Sequence, residues 1–165
     1  MITNINYSRV KRSEGRVKKW TTLASAMVLT LAASAAFAYV PQDSVNLGGI
    51  GYGTDGSYVQ QIYGAPTEID REHASAVEFE YGDSVSIHLS DNRVYRVEVS
   101  ANNGWQTPEG VHVGMAASAV EETYGPADVV RGDTLIYTVA GAADLGMEFE
   151  IENGKIEEIE IGKIH

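Results

Sequence analysis

Five glutamates near the C-terminus come closest to a chemistry by type and spacing. Glu148, Glu150 and Glu152 alternate with apolar residues in GMEFEIE, and Glu158 and Glu160 do so in KIEEIEI. Strand periodicity places the first three on one face, and Asn153-Gly154 is a strong hairpin signal that brings the other two alongside, on the same face. Oxygen ligands of this kind suit weak Ca²⁺ binding, and the same negative surface suits docking of a basic partner. A solvated outer face that discourages edge-to-edge aggregation is the structural alternative. Like charges opposite one another cost stability, and only Lys155 and Lys163 are near in sequence to offset them.

Catalytic constellations are missing from the sequence. His73, His88, His112 and His165 fall in different elements, with no H-x-x-x-H or H-E-x-x-H spacing, and no serine lies in G-x-S-x-G. Gly49-Ile50-Gly51 superficially suggests a phosphate loop, but no βαβ unit surrounds it. The reading is a non-enzyme without a cofactor, a catalytic residue or an assigned metal site. Trp105, the only tryptophan after residue 38, either fills a seam between two units or stands exposed with Tyr95 or Tyr52 as an aromatic anchor for a partner.

The elements that position these residues come in two copies. LGGIGYGTDGSYVQQIYGAP, from Leu47, is echoed in TPEGVHVGMAASAVEETYGPA, from Thr107, with the matched helix residues 61 apart. Gly53 matches Gly114, Val59 matches Val120, and Tyr63-Gly64 matches Tyr124-Gly125, with Pro66 and Pro126 just beyond. Each copy reads as a glycine, a short helix and a stop, since Gly suits the left-handed C-terminal residue and Pro cannot continue a helix. Thr54 or Asp55 suits the first N-cap. In the second copy MAASAVEETY gives one apolar face through Ala116, Ala119, Val120 and Tyr124.

Strands follow each helix. AVEFEY, SVSIHLS and VYRVEV alternate in the first copy; DTLIYTV, GMEFEIE and KIEEIEI alternate in the second, with AGAADL as an insertion. The expected fold class is α+β: two tandem repeats, each a short helix followed by a three-stranded antiparallel meander. The helices pack on one sheet face through Val59, Ile62, Val120 and Tyr124. The expected divisions are residues 1–38 as a signal peptide, 39–46 as a flexible lead-in, 47–101 as unit 1, 102–106 as a linker and 107–165 as unit 2.

Six basic residues, Arg9 to Lys19, precede the apolar run Leu23 to Phe37, and Ala36-Phe37-Ala38 fits a small-x-small cleavage site. Export to the periplasm or the exterior is expected, with an uncleaved N-terminal membrane anchor as the alternative. There is no cysteine, so neither a lipid anchor on cysteine nor a disulfide framework is available. Residues 39–165 carry 6 Lys or Arg against 22 Asp or Glu, a net −16. Such acidity argues against nucleic acid and anionic membrane as partners, both of which need cationic footprints.

The glycine, the short helix with a central valine, the Tyr-Gly stop and the strands ending in G-x-[VI]-x-x-[IV] resemble the SmpA/OmlA family, which includes BamE-type lipoproteins. The tandem arrangement is similar to the β-lactamase inhibitor proteins. Gly53, Val59, Tyr63, Gly64, Pro66, Gly114, Val120, Tyr124, Gly125 and Pro126 carry the match. The resemblance implies an extracytoplasmic, non-enzymatic module that binds or scaffolds an envelope or secreted protein, with inhibition of a secreted hydrolase as the alternative. The lipid-bearing cysteine of the BamE type is absent, which removes that mode of attachment.

Overall fold

The structure is a computed structural model that describes residues 39–71 and 75–164. The signal-peptide reading of residues 1–38, His73 and His165 lie outside the described residues. A 3₁₀ turn at Gln42–Ser44 leads into a small hairpin, β1 (Asn46–Leu47) and β2 (Ile50–Gly51). Then follow α1 (Gly56–Tyr63), β3 (Glu68–Arg71), β4 (Ala76–Glu80), β5 (Val85–Ser90) and β6 (Arg93–Val99). After a long connection come α2 (Ser118–Tyr124), β7 (Val129–Arg131), β8 (Thr134–Val139), β9 (Ala142–Glu152) and β10 (Lys155–Lys163).

The expected pair of helix-plus-three-stranded units is overturned. Strands β3 to β10 form one continuous eight-stranded antiparallel sheet, ordered β3-β4-β5-β6-β10-β9-β8-β7. Two further strands escaped the sequence pattern: β3 and β7 are short edge strands, exposed along their length, and lack the alternation that marks a half-buried strand. The AGAADL segment, read as an insertion, is mostly strand, because β9 begins at Ala142 after a tight turn at Ala140-Gly141. The lead-in is docked: Val40 is buried, its N–H donates to the Thr138 carbonyl at 3.0 Å, and it bridges in parallel to Val139.

Alternation assigns the two sheet faces opposite roles. Ile87, Leu89, Val97, Val99, Met147, Phe149, Ile159 and Ile161 are almost completely buried on the face that carries the helices. Val59 and Val120 contribute from α1 and α2, and Leu47 and Ile50 from the small hairpin. Each side chain of this size contributes about 1.5–3 kcal/mol by leaving water. Ile62 does not pack as expected and is 52% exposed. Gly56, Val59 and Tyr63 form the inward arc of α1, and Ile62 falls outside it. Helix α2 starts at Ser118 rather than Met115, and Ala116 is exposed, so the buried face narrows to Val120 and Tyr124 with Ala119 partly covered.

The motif residues have mechanical roles. Gly53 and Gly114 both have positive φ, and their N–H groups donate to the Val94 and Ile156 carbonyls at 2.7 and 2.8 Å. Asp55 is the α1 N-cap and accepts from the Ser57 N–H at 2.9 Å. Gly64 and Gly125 end the helices with φ near 80°. Their carbonyls accept from the Tyr81 and Tyr137 hydroxyls at 3.1 and 2.9 Å, so each helix end is tied to the sheet.

Trp105 fills a seam. It is 9% exposed and stacks on Tyr63 with ring centroids 4.4 Å apart. The Tyr63 hydroxyl donates to the Gly48 carbonyl at 2.5 Å, and a Cβ at Gly48 would stand 2.7 Å from the indole. Trp105→Ala is therefore expected to lower unfolding free energy by about 3–5 kcal/mol, measured by urea denaturation; a loss below about 1 kcal/mol would show the seam to be dispensable.

Candidate functional site

The face opposite the helices is open and built of charged residues. Cross-strand register places Glu80, Ser86, Glu98, Glu160 and Glu148 in one row across β4, β5, β6, β10 and β9. The next row holds Glu78, His88 and Arg96, continued by Gly162 and Gly146. On the far side of the first row, Glu158 lies opposite Glu150, which lies opposite Thr134. The structure thus brings together Glu148, Glu150, Glu158 and Glu160 as the spacing predicted. Glu152 pairs with Lys155 at the hairpin end, outside that group.

The two halves of this face are compensated differently. Around β5 and β6 the chain supplies its own cations. Arg96 Nη1 lies 3.1 Å from the Glu98 carboxylate and 3.3 Å from that of Glu160, bridging β6 to β10. His88 Nε2 lies 3.1 Å from Glu98 and 3.8 Å from Glu78. No directed hydrogen bond satisfies that nitrogen, so the approach to Glu98 is an ionic contact with poor alignment. Burial opposes charging of His88, but the neighbouring Glu98 and Glu78 outweigh it and raise its pKa. Glu98 is lowered chiefly by His88, against its own burial.

In the β9–β10 half the positions of that cation pair are held by Glu150 and Glu158. A hollow of about 50 Å³ is lined by Thr134, Glu148, Glu150, Glu158 and Glu160. Burial, followed by the charges of Glu160 and Glu98, pushes Glu158 up to about 7. Glu160 is raised by burial and by Glu98, with Arg96 opposing. On the other half Glu80 is also raised, by burial first and then by Glu78. The sequence carries the explanation: at an offset of 62 residues, Ser86, His88 and Arg96 correspond to Glu148, Glu150 and Glu158. Where β5 and β6 set His88 opposite Arg96, β9 and β10 set Glu150 opposite Glu158.

His88, Arg96, Glu98, Glu78 and Glu80 were not singled out from sequence. The signal that finds them is this same offset comparison, which shows two cations replaced by acids. Trp105 is buried on the other side of the sheet and does not offer an exposed anchor. Tyr95 does belong to the open face: it occupies a bulge in β6, half-buried, with its ring centroid 5.8 Å from that of His88. Tyr52 is exposed elsewhere, beneath Lys163, which pairs with Asp144. Among the described residues no group of three or more His, Asp or Glu side chains is placed to hold a metal ion. No helix among the described residues is long and apolar enough to cross a membrane.

No family model matches the chain, and no curated protein matches it. Solved structures do. An extracellular protein containing an SCP domain from Bacillus anthracis str. Ames superposes with a TM-score of 0.53 at 11% identity, over 68% of this chain and 44% of that one. A cysteine-rich secretory protein from Staphylococcus aureus subsp. aureus Mu50 gives 0.54 at 9% identity, over 76% and 49%. These findings overturn the resemblance to SmpA/OmlA proteins and to β-lactamase inhibitor proteins. That resemblance rested on a short glycine-valine-tyrosine pattern, which reports local helix stops and says little about ancestry. The chain spans a little under half the length of each structure, and at such identities the likeness is one of fold alone. Both similar structures belong to extracellular or secretory proteins.

Proposed function

We propose that this chain is an exported, non-enzymatic binding module whose open sheet face docks a basic segment of an envelope or secreted protein. The observation that carries the reading is that in β9–β10 Glu150 and Glu158 replace the cation pair His88 and Arg96 of β5–β6. Four carboxylates, Glu148, Glu150, Glu158 and Glu160, line one hollow on that face, and Arg96 reaches Glu160 at 3.3 Å. A lysine or arginine supplied in trans would do for Glu158 and Glu150 what Arg96 does for Glu98. Export is supported by the N-terminal leader pattern and by the extracellular character of the two similar structures; periplasm and exterior are the two compartments that fit.

The raised carboxylates give the unbound protein a definite pH response. With a folded pKa of about 7 for Glu158 and an unfolded value near 4.5, the folded state holds the extra proton between those limits. Stability therefore falls as pH rises through that window. His88, raised in the folded state, adds stability below about 6.5 that is also lost on going alkaline. Glu158→Gln removes the Glu158 penalty. After discounting for solvent screening, it is expected to stabilise the protein by about 1–2 kcal/mol at pH 8 and by almost nothing at pH 4. Urea denaturation of both proteins at the two pH values checks this; an equal effect at both would refute the charge explanation.

Docking is tested with an extended lysine- and arginine-rich peptide against its acidic counterpart. The basic peptide should bind, weaken as salt shortens the range of the charges, and bind the Glu148→Lys/Glu150→Lys double variant about tenfold less tightly. Equal binding to the double variant, or binding insensitive to salt, would remove the face from consideration.

A further inference from the structure

The helix-bearing side of the sheet has a second feature, remote from the acidic face. Between α1 and the outer strands β3 to β5 lies a hollow of about 400 Å³, with an apolar wall of Ile69, Val77, Phe79 and Leu89 and a polar border that includes Gln60, Arg71, Ser75, Asp91 and Asn92. That volume is in the range of small-molecule sites, which combine apolar lining with a few placed polar groups. Ile69 is 40% exposed despite its apolar character, so this wall of the hollow remains open to solvent.

Arg71 makes no ion pair or side-chain hydrogen bond among the described residues. Cations are scarce in this chain, since residues 39–165 hold only 6 Lys or Arg against 22 acids. Arg93 is paired with Asp55, Arg96 with Glu98 and Glu160, and Lys163 with Asp144. Among the described residues, a scarce cation thus stands without an ion pair at the border of a hollow with an apolar wall.

The second half of the molecule provides an internal comparison. Beside α2 a hollow of about 380 Å³ is lined by Leu135 and Ile151 together with Glu121, Gly132 and Asp133. Gly132 stands 61 residues after Arg71. The two hollows therefore share their place beside a helix and their apolar lining, but only the first presents a cation.

We propose that the Arg71 hollow binds a small amphipathic monocarboxylate, its alkyl or aryl limb against Ile69, Val77, Phe79 and Leu89 and its head against the Arg71 guanidinium. Guanidinium and carboxylate match in charge and in planar geometry, and the exchange of water for apolar lining holds the limb. Asp91 on the border disfavours a second negative charge, which selects a monoanion over a dicarboxylate.

The probe is decanoate, titrated calorimetrically into the full chain, with decyltrimethylammonium as the cation of equal limb. Methyl NMR signals of Val77, Leu89, Leu135 and Ile151 report which hollow is occupied. The expected result is saturable decanoate binding that shifts Val77 and Leu89, leaves Leu135 and Ile151 unmoved, and weakens by roughly tenfold in Arg71→Gln, with Arg71→Lys recovering part of it. Arg71 is exposed, so neither substitution threatens the fold. Absence of saturable binding would overturn the proposal. So would unchanged affinity in Arg71→Gln, equal binding of decyltrimethylammonium, or equal shifts at both hollows.

Discussion

The pairing of β6 with β10 is the constraint on which the rest of the molecule depends. Four registered residue pairs, Ile159 with Val99, Glu160 with Glu98, Ile161 with Val97 and Gly162 with Arg96, join the first four strands to the last four. On one side this pairing sets Val97, Val99, Ile159 and Ile161 together in a strip with no solvent exposure. On the other side the same register forces Glu98 against Glu160, two carboxylates that repel. Arg96 answers this by contacting both. Burial of the apolar strip is the larger effect, since it removes four branched side chains from water at about 1.5–3 kcal/mol each, whereas one like-charge pair costs a fraction of that.

Because side chains alternate strictly along a strand, fixing the apolar face fixes the charged one. The open face is thus partly a by-product of building the core, and its chemistry lies in how cations and acids are distributed over it. His88 and Arg96 neutralise the β5–β6 portion. The corresponding positions in β9 and β10 are Glu150 and Glu158, and the burial that shields these carboxylates from water raises Glu158 to about 7. Crowding of acids at these positions raises the cost of ionising Glu158.

The connection between the halves is held by aromatic packing. Trp105 stacks on Tyr63, Tyr63 meets Tyr81 edge to face at 6.0 Å, and Gly48 permits the close approach of all this to the small β1–β2 hairpin. In the second half Tyr124 takes the equivalent helix position, and its hydroxyl lies 2.6 Å from Thr107 Oγ1 and 2.8 Å from the Glu109 carboxylate. The two halves therefore solve the same packing problem with different partners, a stacked indole in one and a polar network in the other.

The sequence by itself determined what depends on local periodicity and turn chemistry. Alternation marked β4, β5, β6, β8 and β10 and put Glu148, Glu150, Glu158 and Glu160 on one face; Tyr-Gly marked both helix ends, and Asn153-Gly154 marked the last hairpin. The 61- and 62-residue offsets also held the substitution of His88 and Arg96 by Glu150 and Glu158. Only the tertiary structure decided that the strands form one eight-stranded sheet, because which strands meet across β6 and β10 is a choice among long-range pairings that no local pattern encodes. It likewise decided that Trp105 is buried, that Ile62 is exposed and that β3 and β7 exist. Each depends on what lies beside the residue in space: a stacking partner and a tight glycine for Trp105, the limited inward arc of an eight-residue helix for Ile62, and backbone pairing without side-chain burial for the two edge strands.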